Sequence, residues 1–181
     1  MSQLDIYADD APQTRLASLT DARDIAGELA RVGVAFEQWQ ATHALTDDAD
    51  QASILAAYSD DIARLRQLGG YITADVVSLR PSHPDRATLR QKFLDEHTHS
   101  EDEVRFFVAG SGAFYLHLHQ RVFQLTCEKG DLLSVPAGTP HWFDMGPEPH
   151  FTAIRLFIDP AGWVGHFTGS PIARQFPRHG E

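Results

Sequence analysis

The chain has 181 residues, 43% of them hydrophobic and 22% charged, which is typical of one globular domain that is long enough to bury a core. Its formal net charge is -10, without the Lys/Arg cluster that a nucleic-acid or anionic membrane surface needs. The single cysteine excludes an internal disulfide framework, and the sequence shows no signal peptide, transit peptide or apolar run long enough to cross a bilayer. We therefore expect a cytoplasmic protein that binds neither nucleic acid nor membrane.

The first half of the chain carries helical patterns. Apolar residues at helical spacing predict a helix over 20–40, with Thr20 as its N-cap. A second apolar stripe predicts a helix over 54–68 that ends at Gly69-Gly70. A short strand at 74–79 and a short helix at 86–94 follow.

After residue 95 the pattern changes to short apolar runs broken by Gly, Pro and Asp, which is typical of strands. The predicted turns are Gly110-Ser111-Gly112, Lys129-Gly130-Asp131 and Gly146-Pro147. The predicted strands are 104–109, 113–119, 122–127, 132–135 and 151–158. So many short strands predict a mainly β antiparallel sandwich or barrel. We expect one domain, 1–181, with a helical N-terminal elaboration and first strand (1–95), a metal-binding β-barrel core (96–160) and a C-terminal segment (161–181).

Four potential metal ligands lie in this second half. His97 and His99 are two residues apart, so on an extended strand both side chains project from one face, and a bend before Glu103 would bring its carboxylate to the same point. His141 would complete the set. Neutral imidazoles with one anionic oxygen suit Fe(II), Ni(II), Mn(II), Co(II) or Zn(II) and leave positions open for a chelating substrate. Structural zinc sites are usually thiolate-rich, whereas Cys127 is the one thiol here, so the set indicates catalysis.

The spacing around these ligands follows two motifs. The first is His-x-His, three residues, Glu103, six residues and Gly110; the second is Gly130, five residues, Pro136-x-Gly138, two residues and His141. The sequence thus resembles the cupins, and the resemblance implies a double-stranded β-helix barrel of jelly-roll type. Two positions depart from the general cupin pattern, since Gln91 and Met145 stand where Gly and Asn are common.

Within the cupins, the sequence resembles the acireductone dioxygenase family of methionine salvage. The segments that carry the resemblance are 92–99, 101–108, 136–146, 151–157 and 162–163, and more loosely 33–39. It implies that His97, His99, Glu103 and His141 bind one Fe(2+) or Ni(2+) per monomer, and that the substrates are O2 and acireductone, 1,2-dihydroxy-3-oxo-5-(methylthio)pent-1-ene. The iron form would give formate and 4-methylthio-2-oxobutanoate; the nickel form would give formate, CO and 3-methylthiopropanoate.

A deprotonated enediol needs positive charge beyond the metal. Arg105 lies two residues after Glu103, on the same strand face, and matches the family's active-site Arg, so we assign it to substrate charge stabilisation. Asp102 is a candidate catalytic base. Arg155 stands in an apolar strand and either points to solvent or is held inside by a carboxylate. The candidate pocket residues are Phe93, Phe107, Phe143, Arg155 and Trp163, and the aromatic ones are equally compatible with ordinary core packing.

Other interpretations remain at this stage. His117 and His119 form a second His-x-His, which lacks a carboxylate at matching spacing. A cupin isomerase or decarboxylase that uses Mn(II) or Zn(II) without O2, or a non-catalytic small-molecule-binding cupin, would use the same ligands. The resemblance favours a monomeric dioxygenase.

Overall fold

A computed structural model of the chain describes residues 1–159, 161 and 163–181. Its strands join into one sheet, and the strand pairs of the described residues are antiparallel. The helices are α1 (Ala22–Ala30), α2 (Gln51–Ala57), α3 (Ser59–Gly69) and α4 (Arg86–Phe93), with a 3-10 turn at Ile172–Arg174. The strands are β1 (Gln3–Ala8), β2 (Arg15–Leu19), β3 (Ala35–Gln38), β4 (Thr73–Leu79), β5 (His97–Thr98), β6 (Glu103–Leu118), β7 (Arg121–Glu128), β8 (Asp131–Val135), β9 (His141–Asp144), β10 (Phe151–Phe157) and β11 (His166–Phe167).

The long strand β6 connects the two halves of the sheet. Its first half pairs with β8 and β10, and its second half pairs with β7 and β9. Where β6 leaves β10, the register shifts so that Val108 is left out of the pairing, and Gly110 adopts a positive φ of 64°. A bulge next to a glycine bends a strand. This bend lets one strand serve both sides of the barrel.

The same bulge changes which side chains of β6 face the interior. Before it, Val104 and Phe106 pack outward beneath α2 and α3, so Glu103 and Arg105 point inward. After it, the inward positions are Phe114 and Leu116. The predicted turn at Gly110-Ser111-Gly112 is therefore wrong, because these residues lie within a continuous strand. The hairpin turn is at His119 and Gln120, which both have positive φ.

We expect Gly110→Ala to destabilise the protein strongly. The backbone at Gly110 is left-handed, and an added Cβ would overlap the carbonyl oxygen of His150 on the neighbouring segment. The combined strain and displacement should lower the free energy of unfolding by about 2–4 kcal/mol, measured by urea denaturation. Gly27→Ala is the matched control, since Gly27 lies in α1 with no atom near the new Cβ. That control should gain up to about 1 kcal/mol, and equal stability of the two variants would contradict the prediction.

The predicted helices are partly corrected. The first helix begins after Asp21, whose carboxylate caps it, rather than at Thr20, and it ends at Ala30. Gly33 then turns the chain with φ 80°, so Phe36, predicted to be helical, is buried on strand β3 instead. The second predicted helix is two helices, α2 and α3, interrupted at the fully buried Tyr58 and ended by Gly70 in a left-handed conformation.

The N-terminal segment is less helical than expected. Strand β1 pairs with β7 and forms a hairpin with β2, and β3 extends the sheet beside β8. Leu4 and Ile6 of β1 are buried in the barrel core. The apolar alternation of this segment covers only these two positions, so the sequence pattern did not reveal a strand.

The fold is mainly β and of the cupin type, as predicted. Helices α2 and α3 cover the outer face of β6, β8 and β10, while the interior of the barrel holds the aromatic core and the histidines. Within the described residues, no helix has the length and apolarity needed to cross a membrane.

Candidate metal centre

Three buried histidines meet at one end of the barrel. His97 on β5 lies directly opposite His141 on β9, and His99 follows two residues after His97. One ring nitrogen from each lies within 4.8 Å of the others. Strand alternation predicted that His97 and His99 share a face. The position of His141 opposite His97 depends in addition on the register between β5 and β9.

Backbone carbonyls fix the orientation of all three rings. The Nδ1 atoms of His97, His99 and His141 lie 2.9, 3.1 and 2.8 Å from the carbonyl oxygens of Asp95, Val164 and Thr139 respectively. A carbonyl can only accept, so each Nδ1 carries the proton and donates it. Each Nε2 is then left with a lone pair, which is the arrangement that metal-binding imidazoles adopt.

Glu103 adds one carboxylate to the three imidazoles. Its Oε2 lies 3.2 Å from the Nε2 atoms of both His99 and His141. Its Oε1 accepts a hydrogen bond from Arg105 Nε at 2.5 Å. Burial disfavours the charged carboxylate, but the Arg105 guanidinium outweighs this and holds the pKa of Glu103 well below its usual range. Glu103 is therefore anionic at neutral pH and is a candidate fourth ligand.

These four residues fit a divalent metal ion. Glu103 Oε2 and His141 Nε2 are buried and have no hydrogen-bond partner, although they lie close together. An unpaired buried acceptor is costly, and two of them aimed at one point are explained by a cation between them. Three neutral nitrogens and one anionic oxygen suit a first-row transition metal.

The stability of the metal-free protein should depend on pH through His97. Burial and the neighbouring His141 lower the pKa of His97 to about 4, whereas a free imidazole titrates near ~6.5. The unfolded chain therefore binds the proton first as the pH falls. This contribution to stability is complete above pH ~6.5 and is lost progressively down to about pH 4.

We expect the metal-free protein to lose about 3 kcal/mol of unfolding free energy across this window, measured by urea denaturation at stepped pH. His97→Gln should flatten the slope between pH ~6.5 and about 4, because the amide does not titrate. The exposed His150, replaced in the same way, should leave it unchanged. An equally steep slope in His97→Gln would contradict the assignment.

A cavity of about 350 Å³ opens beside the ligands. Of the predicted pocket residues, Phe93, Arg155 and Trp163 line it, and Arg105 lies on its wall. Gly162, which the sequence pattern places before Trp163, lies outside the described residues. The other lining residues are Val77, Leu89, Lys92, His97, His99, Gly165 and Phe167.

Two predicted pocket residues lie elsewhere. Phe107 and Phe143 are fully buried in the barrel core, and neither lines the cavity. Their rings pack against Phe114 and Phe151 in the interior, and Phe143 also lies beneath the guanidinium of Arg105, 5.2 Å from its ring centroid. We correct the prediction accordingly: these aromatic residues support the floor of the site and do not face the cavity.

The structure does not bring Asp102 into the site. Its side chain is exposed, and Oδ1 accepts a hydrogen bond of 2.8 Å from the amide of Ala137. The carboxylate thus ties the loop of the first ligands to the loop before His141. Its neighbour Glu101 similarly accepts hydrogen bonds from the backbone amides of Ile158 and Asp159. Both acidic residues organise loops around the centre.

The second His-x-His pair is separate from the centre. His117 lies between two carboxylates, with Nδ1 2.7 Å from Glu96 Oε2 and Nε2 3.3 Å from Asp9 Oδ2. His119 occupies the β6–β7 turn with φ 52°. Glu96 also accepts a hydrogen bond from the hydroxyl of Thr168. These contacts link the N-terminal hairpin, the ligand loop and the C-terminal segment.

One functional candidate was missed from sequence. Asp75 on β4 holds Arg155 through two contacts, of 2.9 Å from Nε and 2.6 Å from Nη2. This answers the question left open for Arg155, which is held inside by a carboxylate. The available signal was that Asp75 is the one charged residue of β4, just as Arg155 is the one charged residue of β10.

The jelly-roll barrel with three histidines and a glutamate converging beside a cavity defines a metal-binding cupin. The sequence model of the ARD/ARD' family matches residues 3–165. The chain belongs to this family and is an enzyme of the oxygenase class.

Known proteins similar to the chain agree with this placement. The acireductone dioxygenase of Parvibaculum lavamentivorans is 56% identical over 98% of this chain and 97% of its own length. That of a Synechococcus strain is 59% identical over 98% of each chain. A solved acireductone dioxygenase from Bacillus anthracis, with a cadmium ion in its active centre, superposes with a TM-score of 0.79 at 32% identity, covering 92% of this chain and 98% of its own. These comparisons support a divalent metal at the centre.

Proposed function

We propose that the protein cleaves acireductone with O2 at the centre formed by His97, His99, Glu103 and His141. The observation that carries the proposal is the pair of unpartnered buried acceptors, Glu103 Oε2 and His141 Nε2, aimed at one point beside a cavity. The acireductone dioxygenases to which the chain is similar support the choice of substrate.

Fe(2+) or Ni(2+), one per chain, is the proposed cofactor. Bound there, the metal supplies Lewis-acid binding of the enediolate oxygens. We propose that the iron form yields formate and 4-methylthio-2-oxobutanoate, and that the nickel form yields formate, CO and 3-methylthiopropanoate. The protein holds the ligands rigidly, because every ring is anchored through Nδ1 to a backbone carbonyl.

Arg105 supplies the positive charge that the deprotonated substrate requires. Its Nε is committed to Glu103, while its Nη1 is buried without a partner. Because this guanidinium donor is already held in place and shielded from water, it can stabilise the negative charge of a bound substrate without the protein having to rearrange. In our proposal Arg105 therefore does two things: it orients the ligand carboxylate, and it offers its free donor to the enediolate.

The cavity wall suits the rest of the substrate. Val77, Leu89 and Phe93 provide apolar surface for the methylthio tail. Trp163 and Phe167 lie at the mouth, where both are more than half exposed. His97, His99 and Arg105 line the part of the cavity beside the centre, so the reacting end of the substrate would be oriented toward them.

We further propose that the protein works as a monomer in the cytoplasm, in methionine salvage, with acireductone and O2 as its only reactants. The single buried cysteine and the negative net charge support this setting. The measurement of mass in solution by light scattering tests the monomer directly.

The test of the activity is anaerobic reconstitution with Fe(II) or Ni(II), followed by addition of acireductone and O2 and analysis of the products. We expect O2 consumption with both metals and CO from the nickel form alone. Metal binding without O2 uptake would contradict the proposal. Conversion without O2 would indicate a cupin isomerase or decarboxylase, and binding without any conversion would indicate a non-catalytic cupin.

A further inference from the structure

Four charged side chains form a row across three neighbouring strands, and the two arginines of the row line the cavity. Asp75 on β4 lies opposite Arg155 on β10, and Arg155 lies opposite Arg105 on β6. Directly opposed residues in a sheet point to the same face. Glu103, two residues before Arg105, extends the row to the ligand set.

The row faces the barrel interior. On β4 and β10 the alternate residues, Val76 and Ile154, pack outward beneath the helices, whereas Val77 and Ala153 pack inward. Asp75 and Arg155 share the inward parity of Val77 and Ala153. Arg155 lines the cavity itself.

Each guanidinium of the row has its own carboxylate. Asp75 binds Arg155 at 2.9 and 2.6 Å, and Glu103 binds Arg105 at 2.5 Å. The two arginines would otherwise repel each other as neighbouring like charges. Burial lowers the pKa of Arg105 and Arg155 lowers it further, while Glu103 and Asp75 act in the opposite direction.

The formal charges of the row cancel, because two carboxylates face two guanidiniums. With no net charge left within the row, a divalent metal at the centre and Lys92, which also lines the cavity, would provide the positive charge that opposes an enediolate dianion. The ion pair is not needed for the packing of β4 and β10, since hydrophobic residues serve such positions at least as well. A role of the Asp75–Arg155 pair in the site accounts better for its position beside the cavity.

We propose that Asp75 is a positioning residue of the site: it holds the guanidinium of Arg155 at the cavity wall and cancels its charge. Arg155 thereby adds no net positive charge to that of the metal and Lys92. The assignment to an enediolate rests on the proposed function, whereas the effect on anion binding does not.

Asp75→Asn is the primary test, because it keeps the shape of the side chain and removes its charge. The probe is oxalate, a planar dianion that needs no turnover, titrated calorimetrically into nickel-loaded protein whose metal content is measured afterwards. We expect Asp75→Asn to bind oxalate roughly tenfold more tightly, because one cation in a poorly solvated cavity is left uncompensated. With acireductone, kcat should fall about tenfold while KM does not rise, since Arg155 is no longer held in place.

Two further variants separate charge from structure. Asp75→Glu restores the charge and should return oxalate affinity to within about twofold of the original protein. Asp47→Asn removes an exposed carboxylate that pairs with Arg80 away from the cavity, and it should change neither oxalate binding nor kcat. If Asp75 had a purely structural role, Asp75→Asn would lower the thermal midpoint, raise KM and weaken oxalate binding together.

Unchanged or weakened oxalate binding by Asp75→Asn would overturn the proposal, as would an unchanged kcat. If the original protein does not consume acireductone, the proposed function fails, but the oxalate titration still decides the role of Asp75 in anion binding.

Discussion

Replacing His141 by alanine is expected to abolish metal binding and turnover together. His141 is 2% exposed, and its Nε2 is one of the two unpartnered acceptors at the centre. Without it, the remaining ligands include only two of the three converging nitrogens. We expect turnover to fall by at least about 1,000-fold at equal added metal, because the Lewis acid is no longer retained.

The accompanying readout is thermal stability with and without metal. A ligand at about 1,000 times its dissociation constant stabilises the folded protein by about 4 kcal/mol. The original protein should therefore unfold at a higher temperature when nickel is present, and His141→Ala should show little response. His150→Ala is the control, since this exposed imidazole lies outside the site and should leave both the response and turnover intact. Retained metal and activity in His141→Ala would remove it from the ligand set.

Replacing Arg105 by alanine should have the second largest effect on turnover, but without loss of the metal. We expect the metal to remain while kcat falls about 100- to 1,000-fold, the range for loss of one preorganised donor. In the metal-free variant, Glu103 becomes a buried carboxylate without its partner, which should cost about 3–5 kcal/mol of unfolding free energy. Added metal should recover much of this loss, because it neutralises the same carboxylate.

The measurements are metal content, kcat and urea denaturation with and without Ni(II). Arg31→Ala is the matched control, because Arg31 pairs with Glu28 on the exposed face of α1. That pair is worth at most about 0.5 kcal/mol, and its loss should leave kcat unchanged. Full turnover in Arg105→Ala would exclude the charge-stabilising role. Loss of metal together with turnover would assign Arg105 to orienting Glu103 alone.

The sequence did not distinguish the aromatic residues of the cavity from those of the core. Phe93 and Phe107 are both large apolar residues near the ligands in sequence, yet Phe93 lines the cavity and Phe107 is part of the core. Phe93 is the last residue of helix α4, whereas Phe107 lies on β6 with the inward parity of Arg105 and packs among the core aromatic residues. Further along β6, the bulge at Val108 reverses which residues point inward. A one-residue irregularity of this kind leaves almost no trace in composition or spacing.

Asp75 and Arg155 show the same limit for charges. They are 80 residues apart in sequence and become partners through the register of β4 and β10. Sequence reasoning placed Arg155 beside either solvent or a carboxylate but could not identify the carboxylate. The helix boundaries failed for a more local reason, since Gly33 allowed a turn that brought Phe36 onto a strand.

The sequence by itself determined the ligand types, their spacing and the class of fold, because imidazole and carboxylate chemistry and the period of two along a strand are local properties. Only the tertiary structure decided the pairing of His97 with His141, the pairing of Asp75 with Arg155 and the separation of core from cavity residues. These depend on strand register and on the bend at Gly110, through which contacts far apart in sequence are made.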